Sequence, residues 1–180
     1  MRGGFGQNRA VSHIRYAERT DLAAITAIYN STVASRMVTA DLEPVSVESR
    51  EPWFGAHSRE RRPLWVTCDG PPRAGVIGWL GLQDFHPRCA YQSTAELSVY
   101  VHQGHRGRGL GRALVEHAIA AAPALGVDAL VGLIFGHNAP SLALFAALGF
   151  ERWGNLPGVA RLDDTRRDLV IVGRTLASLS

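Results

Sequence analysis

Cysteine is scarce in this chain. Only Cys68 and Cys89 occur, too few and too isolated for a disulfide framework or a zinc site. Reduced thiols in a cytoplasmic protein are the expectation. His102, His105, His117 and His137 show no spacing that suits a metal, and no metal is expected. No apolar run approaches the roughly 20 residues of a membrane span, so no membrane partner is expected. Residues 1–10 are rich in Gly, Arg and Asn and lack the apolar segment of a signal peptide. Residues 1–12 are therefore read as a flexible tail. No repeat, low-complexity tract or long linker divides the rest of the chain, so residues 13–180 are expected to form one domain.

What is present is enough for an enclosed core. A chain of 180 residues with 46% hydrophobic and 19% charged content has the balance of a globular protein. Its formal charge is only +3, but arginines gather at 59–62 and 106–112. Nucleic acid or an anionic cofactor suits such patches, and charge alone does not choose between them.

Hydrophobic spacing gives an α/β order of elements. Residues 13–17 read as a strand, and Asp21 as the cap of a helix carrying Leu22, Ile25 and Ile28. A loop with a short helical turn comes next at 32–43, then a helix over 47–57 containing Pro52. Residues 64–68 and 74–82 read as strands around a Gly-Pro-Pro turn, and 95–101 as a further strand. Residues 110–122 have a helical apolar face, with Gly126 at their exit. Residues 127–135 form a nearly continuous apolar strand, the pattern of a buried position. Asn138 caps another helix, with Pro140 in its first turn and Gly149 at its close. Strands near 150–154 and 168–176 complete a mixed sheet with helices on both faces.

The sharpest local signal is Arg106-Gly107-Arg108-Gly109-Leu110-Gly111-Arg112, between a strand and a helix. A helix start offers unpaired N–H groups and a partial positive charge, and so attracts phosphate. Glycine lets the backbone approach such a ligand, and the arginines add charge. A dinucleotide fingerprint fails because Leu114 stands three residues after Gly111. A P-loop fails because Leu110, not Lys, follows Gly109. A tight turn with surface arginines remains an equal reading of the turn alone.

The wider pattern breaks the tie. Arg106-x-x-Gly109-x-Gly111 after Val99-Tyr100-Val101 resembles the R/Q-x-x-G-x-G/A signature of the GNAT superfamily of N-acetyltransferases. Asn138-x-x-Ser141-x-x-Leu144-Phe145-x-x-x-Gly149-Phe150 resembles that superfamily's second signature. Within it, Ile28-Tyr29-Asn30, Pro63-Leu64-Trp65-Val66, Arg88-x-x-Tyr91 and Glu96-x-Ser98-Val99-Tyr100-Val101 resemble the phosphinothricin and methionine sulfoximine acetyltransferases. The resemblance implies a sheet splayed between its fourth and fifth strands, acetyl-CoA as cosubstrate, a small amino-acid-like amine as substrate, and a homodimer. It implies that Val99, Tyr100 and Val101 meet the pantetheine arm and that amides of Gly107, Arg108, Gly109, Leu110, Gly111 and Arg112 hold the pyrophosphate. Asn138 and Ser141 would lie near the cofactor, Asn138 at its thioester end. Acetylation of a protein N-terminus or a polyamine is the rival activity. A catalytically silent acyl-CoA-binding domain is the rival without chemistry, and nucleic-acid binding is a weaker third.

Acetyl transfer needs a neutral amine, hence a base near the thioester. Strand alternation puts Glu96, Ser98, Tyr100 and His102 on one face and Ala95, Leu97, Val99 and Val101 on the other. Glu96 in that polar row is the candidate base; a solvent-facing row or an arginine pair is the alternative. Arg88 can grip a substrate carboxylate in a forked pair, with Tyr91 beside it, or it is a solvated loop arginine. Phe145 stands where many superfamily members carry a tyrosine and has no proton to give. Arg166-Arg167-Asp168 replaces the Trp-x-Asp pattern of the phosphinothricin-type proteins.

Overall fold

The computed structural model describes residues 13–71 and 74–176. The expected tail at 1–12 lies outside the described residues. Seven strands form one sheet in the order β1-β2-β3-β4-β5-β7-β6. They are β1 (His13–Tyr16), β2 (Leu64–Cys68), β3 (Val76–Asp84), β4 (Thr94–Val101), β5 (Ala129–Phe135), β6 (Glu151–Leu162) and β7 (Thr165–Thr175). The helices are α1 (Leu22–Val33), the short α2 (Glu51–Gly55), α3 (Leu110–Ala121) and α4 (Ala139–Ala147). Every neighbouring pair is antiparallel except β4 and β5, which run parallel.

Two apolar clusters hold the sheet between its helices. On one face, Leu114, Val115 and Ala118 of α3, Phe145 of α4 and Leu148 just after it bury Leu97, Leu130, Val170 and Val172. On the other, Ile25, Ile28 and Tyr29 of α1 pack with Val66 and Trp79. The four-residue repeat of Leu114 and Ala118 and the three-residue step from Ile25 to Ile28 set these helical stripes. α1 and α3 therefore each bury one stripe and leave the rest toward solvent.

Three sequence expectations change. Asp21 does not cap α1 through its side chain. Its carboxylate instead accepts two bonds from Arg15, at 2.6 and 2.8 Å, and one from the Glu18 N–H at 2.8 Å, which ties β1 to the turn before α1. The helix expected over 47–57 is a 3-10 turn, Glu48–Arg50, leading into the five-residue α2. The last two strands are far longer than their apolar cores suggest: β6 and β7 form a hairpin through Asp163 and Asp164, with Arg166 and Arg167 paired inside it. Their outer ends alternate without a hydrophobic face, so periodicity carried no strand signal there.

Burial of Asp21 opposes its ionisation, but the Arg15 and Glu18 bonds outweigh it and hold the carboxyl below its usual range. That contribution is present above the ordinary carboxylate pKa and is lost as pH falls through the depressed folded value. Asp21→Asn is expected to cost about 1.5 to 3 kcal/mol at neutral pH, as lost charge-assisted bonds. Denaturant melts at pH 7 and pH 3 check this; the gap between the two proteins should narrow in acid.

Candidate active site

β4 and β5 are paired only at Thr94–Ala129, Ala95–Leu130 and Glu96–Val131. Beyond Glu96 they part, while β4 stays on β3 up to Val101 and β5 stays on β7 up to Phe135. The opening is a narrow slot of about 50 Å³. Leu97, Ser98, Val99 and Tyr100 form one wall, Gly132 to Phe135 the other, and Asn138, Ser141 and Phe145 of the α4 segment line it as well. Gly132 makes room for α4: a Cβ there would meet Phe145 at 3.3 Å and Val172 at 3.1 Å.

The slot exposes backbone that has no strand partner. The His102 N–H donates to Ile77 O at 2.8 Å, which marks His102 as a residue bonded toward β3. By the alternation of an antiparallel ladder, Tyr100, Ser98 and Glu96 also turn their backbone groups to β3. Val99 and Val101, beyond the last pair with β5, then turn theirs into the slot. Orphaned N–H and C=O groups are costly unless paired, and an extended ligand carrying amides fits them as a missing strand would. The pantetheine arm of CoA has that chemistry.

The glycine-rich turn stands at the end of the same strand. Gly107 and Gly109 take positive φ, +74° and +81°, with nothing within 4 Å of where a Cβ would sit. Both need glycine for conformation, and both leave open space above the backbone. Gly109 is the residue before α3, and no side chain caps that helix start. By contrast, Asn138 caps α4 by accepting the Ser141 N–H at 3.2 Å. The first donors of α3, at Leu110, Gly111 and Arg112, are therefore left for an anion. Gly111 is helical, and a Cβ there would press on Leu144 at 3.3 Å. The arginines differ: Arg108 pairs with Asp69 at 3.1 Å, Arg112 with Glu116 at 3.2 Å, and Arg106 Nε donates to Val101 O at 3.4 Å.

Glu96 sits where the strands part. It is half-buried, and no hydrogen bond or ion pair engages its carboxylate among the described residues. Burial pushes its pKa up. The arginine pair of the alternative reading is not found among the described residues. Tyr100 departs from the wet row: its ring stacks on Trp79 at 4.4 Å and tilts on Tyr29 at 5.2 Å, and burial raises its hydroxyl pKa. His102 leaves the row altogether. It comes directly after β4 and caps the next turn, accepting the Gly104 N–H at 3.2 Å.

Arg88 and Tyr91 lie in the β3–β4 connection, whose ladder ends at Asp84–Ala95, one pair beyond Gln83–Glu96. The connection folds back through a 3-10 turn, Cys89–Tyr91, so both residues stay at the Glu96 end of the strand. Tyr91 packs on His86 at 4.8 Å and Phe85 at 6.0 Å. The buried Arg62 holds both ends of this loop, with Nε on Asp84 at 2.7 Å and Nη2 on Gln92 O at 2.7 Å. Its charge inside an Arg-rich run gave no sequence signal of that role. Phe145 is buried, with its ring edge-on to Phe150 at 4.9 Å.

Two ties across the slot also escaped the sequence. His137 Nε2–H donates to Arg36 O at 2.9 Å, and Asn138 Nδ2 donates to Met37 O at 2.9 Å. Arg36 in turn forks onto Asp163 at 2.9 and 3.1 Å. They bring Val38 to the slot lining.

The conformation of the turn makes a direct test. Gly109→Val places a β-branched residue at φ +81°, costing about 1 to 2 kcal/mol of strain or displacing the helix start. A folded variant should bind acetyl-CoA on the order of tenfold more weakly or worse by calorimetry. Unchanged affinity would remove the turn from the ligand site.

Comparison with known proteins agrees with this geometry. Residues 25–150 match the model of the acetyltransferase (GNAT) family. YwnH of Bacillus subtilis is 49% identical over 164 residues, covering 91% of this chain and 99% of that protein. The L-methionine sulfoximine/L-methionine sulfone acetyltransferase of Pseudomonas aeruginosa is 36% identical over 148 residues, covering 82% and 85%. A crystal structure of a GNAT superfamily phosphinothricin acetyltransferase from Sinorhizobium meliloti, in complex with acetyl-CoA, superposes with a TM-score of 0.85. It is 30% identical and covers 92% of this chain and 89% of that one. The parted strands, the uncapped helix start and the matched span have one meaning: this chain belongs to the acetyltransferase (GNAT) family.

Proposed function

We propose that the protein transfers acetyl from acetyl-CoA to the α-amine of a small amino-acid-like substrate of the phosphinothricin or methionine sulfoximine type. The observation that carries the reading is Glu96, a half-buried, unpartnered carboxylate at the point where β4 leaves β5. The cosubstrate supplies an acetyl thioester, activated for attack by an amine. Backbone groups of Val99 and Val101 hold its arm, and the amides from Gly107 to Arg112 hold its pyrophosphate. Asn138 and Ser141 flank the slot from α4. Glu96 takes a proton from the ammonium, directly or through water, and so releases the lone pair that attacks. A backbone N–H of β4 that faces the slot supports the charge that develops on the carbonyl oxygen. Arg88, whose guanidinium has no partner among the described residues, takes the substrate carboxylate, with Tyr91 beside it.

The working form is read as a homodimer in the cytoplasm. Trp153 and Leu156 of β6 are 47% and 42% exposed. A second copy would cover them. Residues 13–180 act as one domain in this reading.

Glu96→Gln keeps the shape and removes the base. Turnover should fall on the order of 100-fold or more with acetyl-CoA binding intact. Because burial raises the Glu96 pKa, the ascending limb of the pH–rate profile should lie above the ordinary glutamate range and vanish in the variant. The same burial costs stability as pH rises from the unfolded to the folded pKa, since the native state then holds the extra proton. Glu96→Gln should therefore melt no lower than wild type at about pH 7 to 8. Near-normal turnover across pH would return Glu96 to a structural role.

Arg88→Ala should weaken use of α-amino acids by about 1.5 to 3 kcal/mol in kcat/KM. A carboxylate-free amine accepted by wild type should lose far less. Equal losses would make Arg88 a general shaper of the site, and activity confined to carboxylate-free amines would overturn the substrate class.

A further inference from the structure

Arg50 is a cation without a bond. It closes the 3-10 turn Glu48–Arg50 just before α2. Its guanidinium lies over the Trp53 ring at 3.6 Å and the Tyr29 ring at 4.8 Å. Its Nε is buried with no hydrogen-bond partner, and nothing among the described residues bonds the rest of the group. The neighbouring acid, Asp41, is engaged by the Tyr29 hydroxyl at 2.5 Å, which also meets Thr39 at 2.5 Å. By contrast Arg15 pairs with Asp21, Arg62 with Asp84 and Arg108 with Asp69. A guanidinium laid flat on aromatic faces keeps its edge free, and that edge is a planar fork matched to paired oxygens.

Its place in the fold points at the cleft. Tyr29, under Arg50, packs on Tyr100, and Tyr100 lines the slot. Thr39 and Asp41 come just after Val38, another lining residue. Arg50 therefore stands behind the Tyr29–Tyr100 ring pair that borders the slot, on the sheet face toward which Glu96 and Ser98 point. Tyr100 lies two residues beyond Ser98, about 7 Å along a strand. That offset matches an amino-acid side chain extended from an amine beside Glu96 and Ser98.

We propose that Arg50 is a specificity-determining residue that grips an oxygen-bearing group at the far end of the substrate side chain. The class is an α-amino acid whose side chain ends in a phosphinate, sulfone, sulfoximine or carboxylate. Arg88 and Arg50 then hold the two ends of one small molecule, and Glu96 serves the amine between them. This grip rests on the acetyltransferase reading and adds a second contact to it.

The test compares kcat/KM for phosphinothricin and for norleucine, which lacks the terminal oxygens. Arg50→Met keeps an unbranched stem on Tyr29 and Trp53 and removes the donors. The phosphinothricin-to-norleucine ratio should drop on the order of 10- to 100-fold, mostly through KM, with acetyl-CoA affinity unchanged. Arg50→Lys, which restores the charge without the fork, should recover part of that ratio. It also replaces Arg50→Met should the latter not fold. An unchanged ratio, or equal losses on both substrates, overturns the proposal. Should wild type acetylate neither amino acid, the substrate reading falls, and Arg50 is judged by binding alone. Saturable quenching of tryptophan fluorescence by phosphinothricin in wild type, lost in Arg50→Met, supports the grip; quenching that is absent or equal in both overturns it.

Discussion

The parting of β4 from β5 after three paired residues governs the rest of this molecule. A sheet normally satisfies its own backbone, and a central strand with unpaired N–H and C=O groups is expensive. The expense is contained because each strand stays paired on its other side, β4 to β3 and β5 to β7. Both halves are also glued from behind: α3 packs under β4, and Phe145 of α4 settles against Gly132 of β5. The opening is thus built into the packing and does not wait for a ligand. Preorganised groups of this kind add affinity because little order remains to be imposed on binding.

The same parting fixes where charge belongs. At its closed end stands Glu96, half-buried and without a partner among the described residues, an arrangement that costs stability. At its open end stands the start of α3, uncapped, with Gly107 and Gly109 holding the turn in left-handed conformations. In the proposed function, a base and an anion cradle at opposite ends of one slot set the direction in which a long cosubstrate lies. The α1–α2 loop crosses between the two halves and is tied on the far side by His137, Asn138 and Asp163. Arg36 and Asp163 both take positive φ without being glycine, so this crossing carries some strain. Thr39, Asp41 and Arg50 sit on or near that loop.

Much of this was legible in the residues. The order of elements, the Gly109 turn, the Asn138 cap and the place of Glu96 each come from a local rule: spacing, turn chemistry or strand alternation. The alternation rule reached its limit at the end of β4. His102 continues the pattern in sequence but not in space, because the chain turns there and its ring caps the turn. Residues 155–167 carried no strand signal because their pairing partners are polar and the hairpin is held by backbone ladders and the Asp168 carboxylate, which accepts the Gly158 N–H and the Asn155 amide. Arg50 and Arg62 look alike in sequence. Only the fold separates a buried loop staple on Asp84 from a cation stacked on rings with its donors free. Long-range pairing of this kind has no period to read.

The central claim is that unpaired β4 backbone is what receives the cosubstrate. Amide hydrogen exchange, resolved by residue, with and without saturating acetyl-CoA, addresses it directly. The account predicts that the Val99 and Val101 amides, and those of Leu110 to Arg112, exchange markedly more slowly when acetyl-CoA is bound, while the Tyr100 and Ser98 amides, already bonded to β3, change little. Acetyl-CoA that binds and leaves the Val99 and Val101 amides as they were would contradict it.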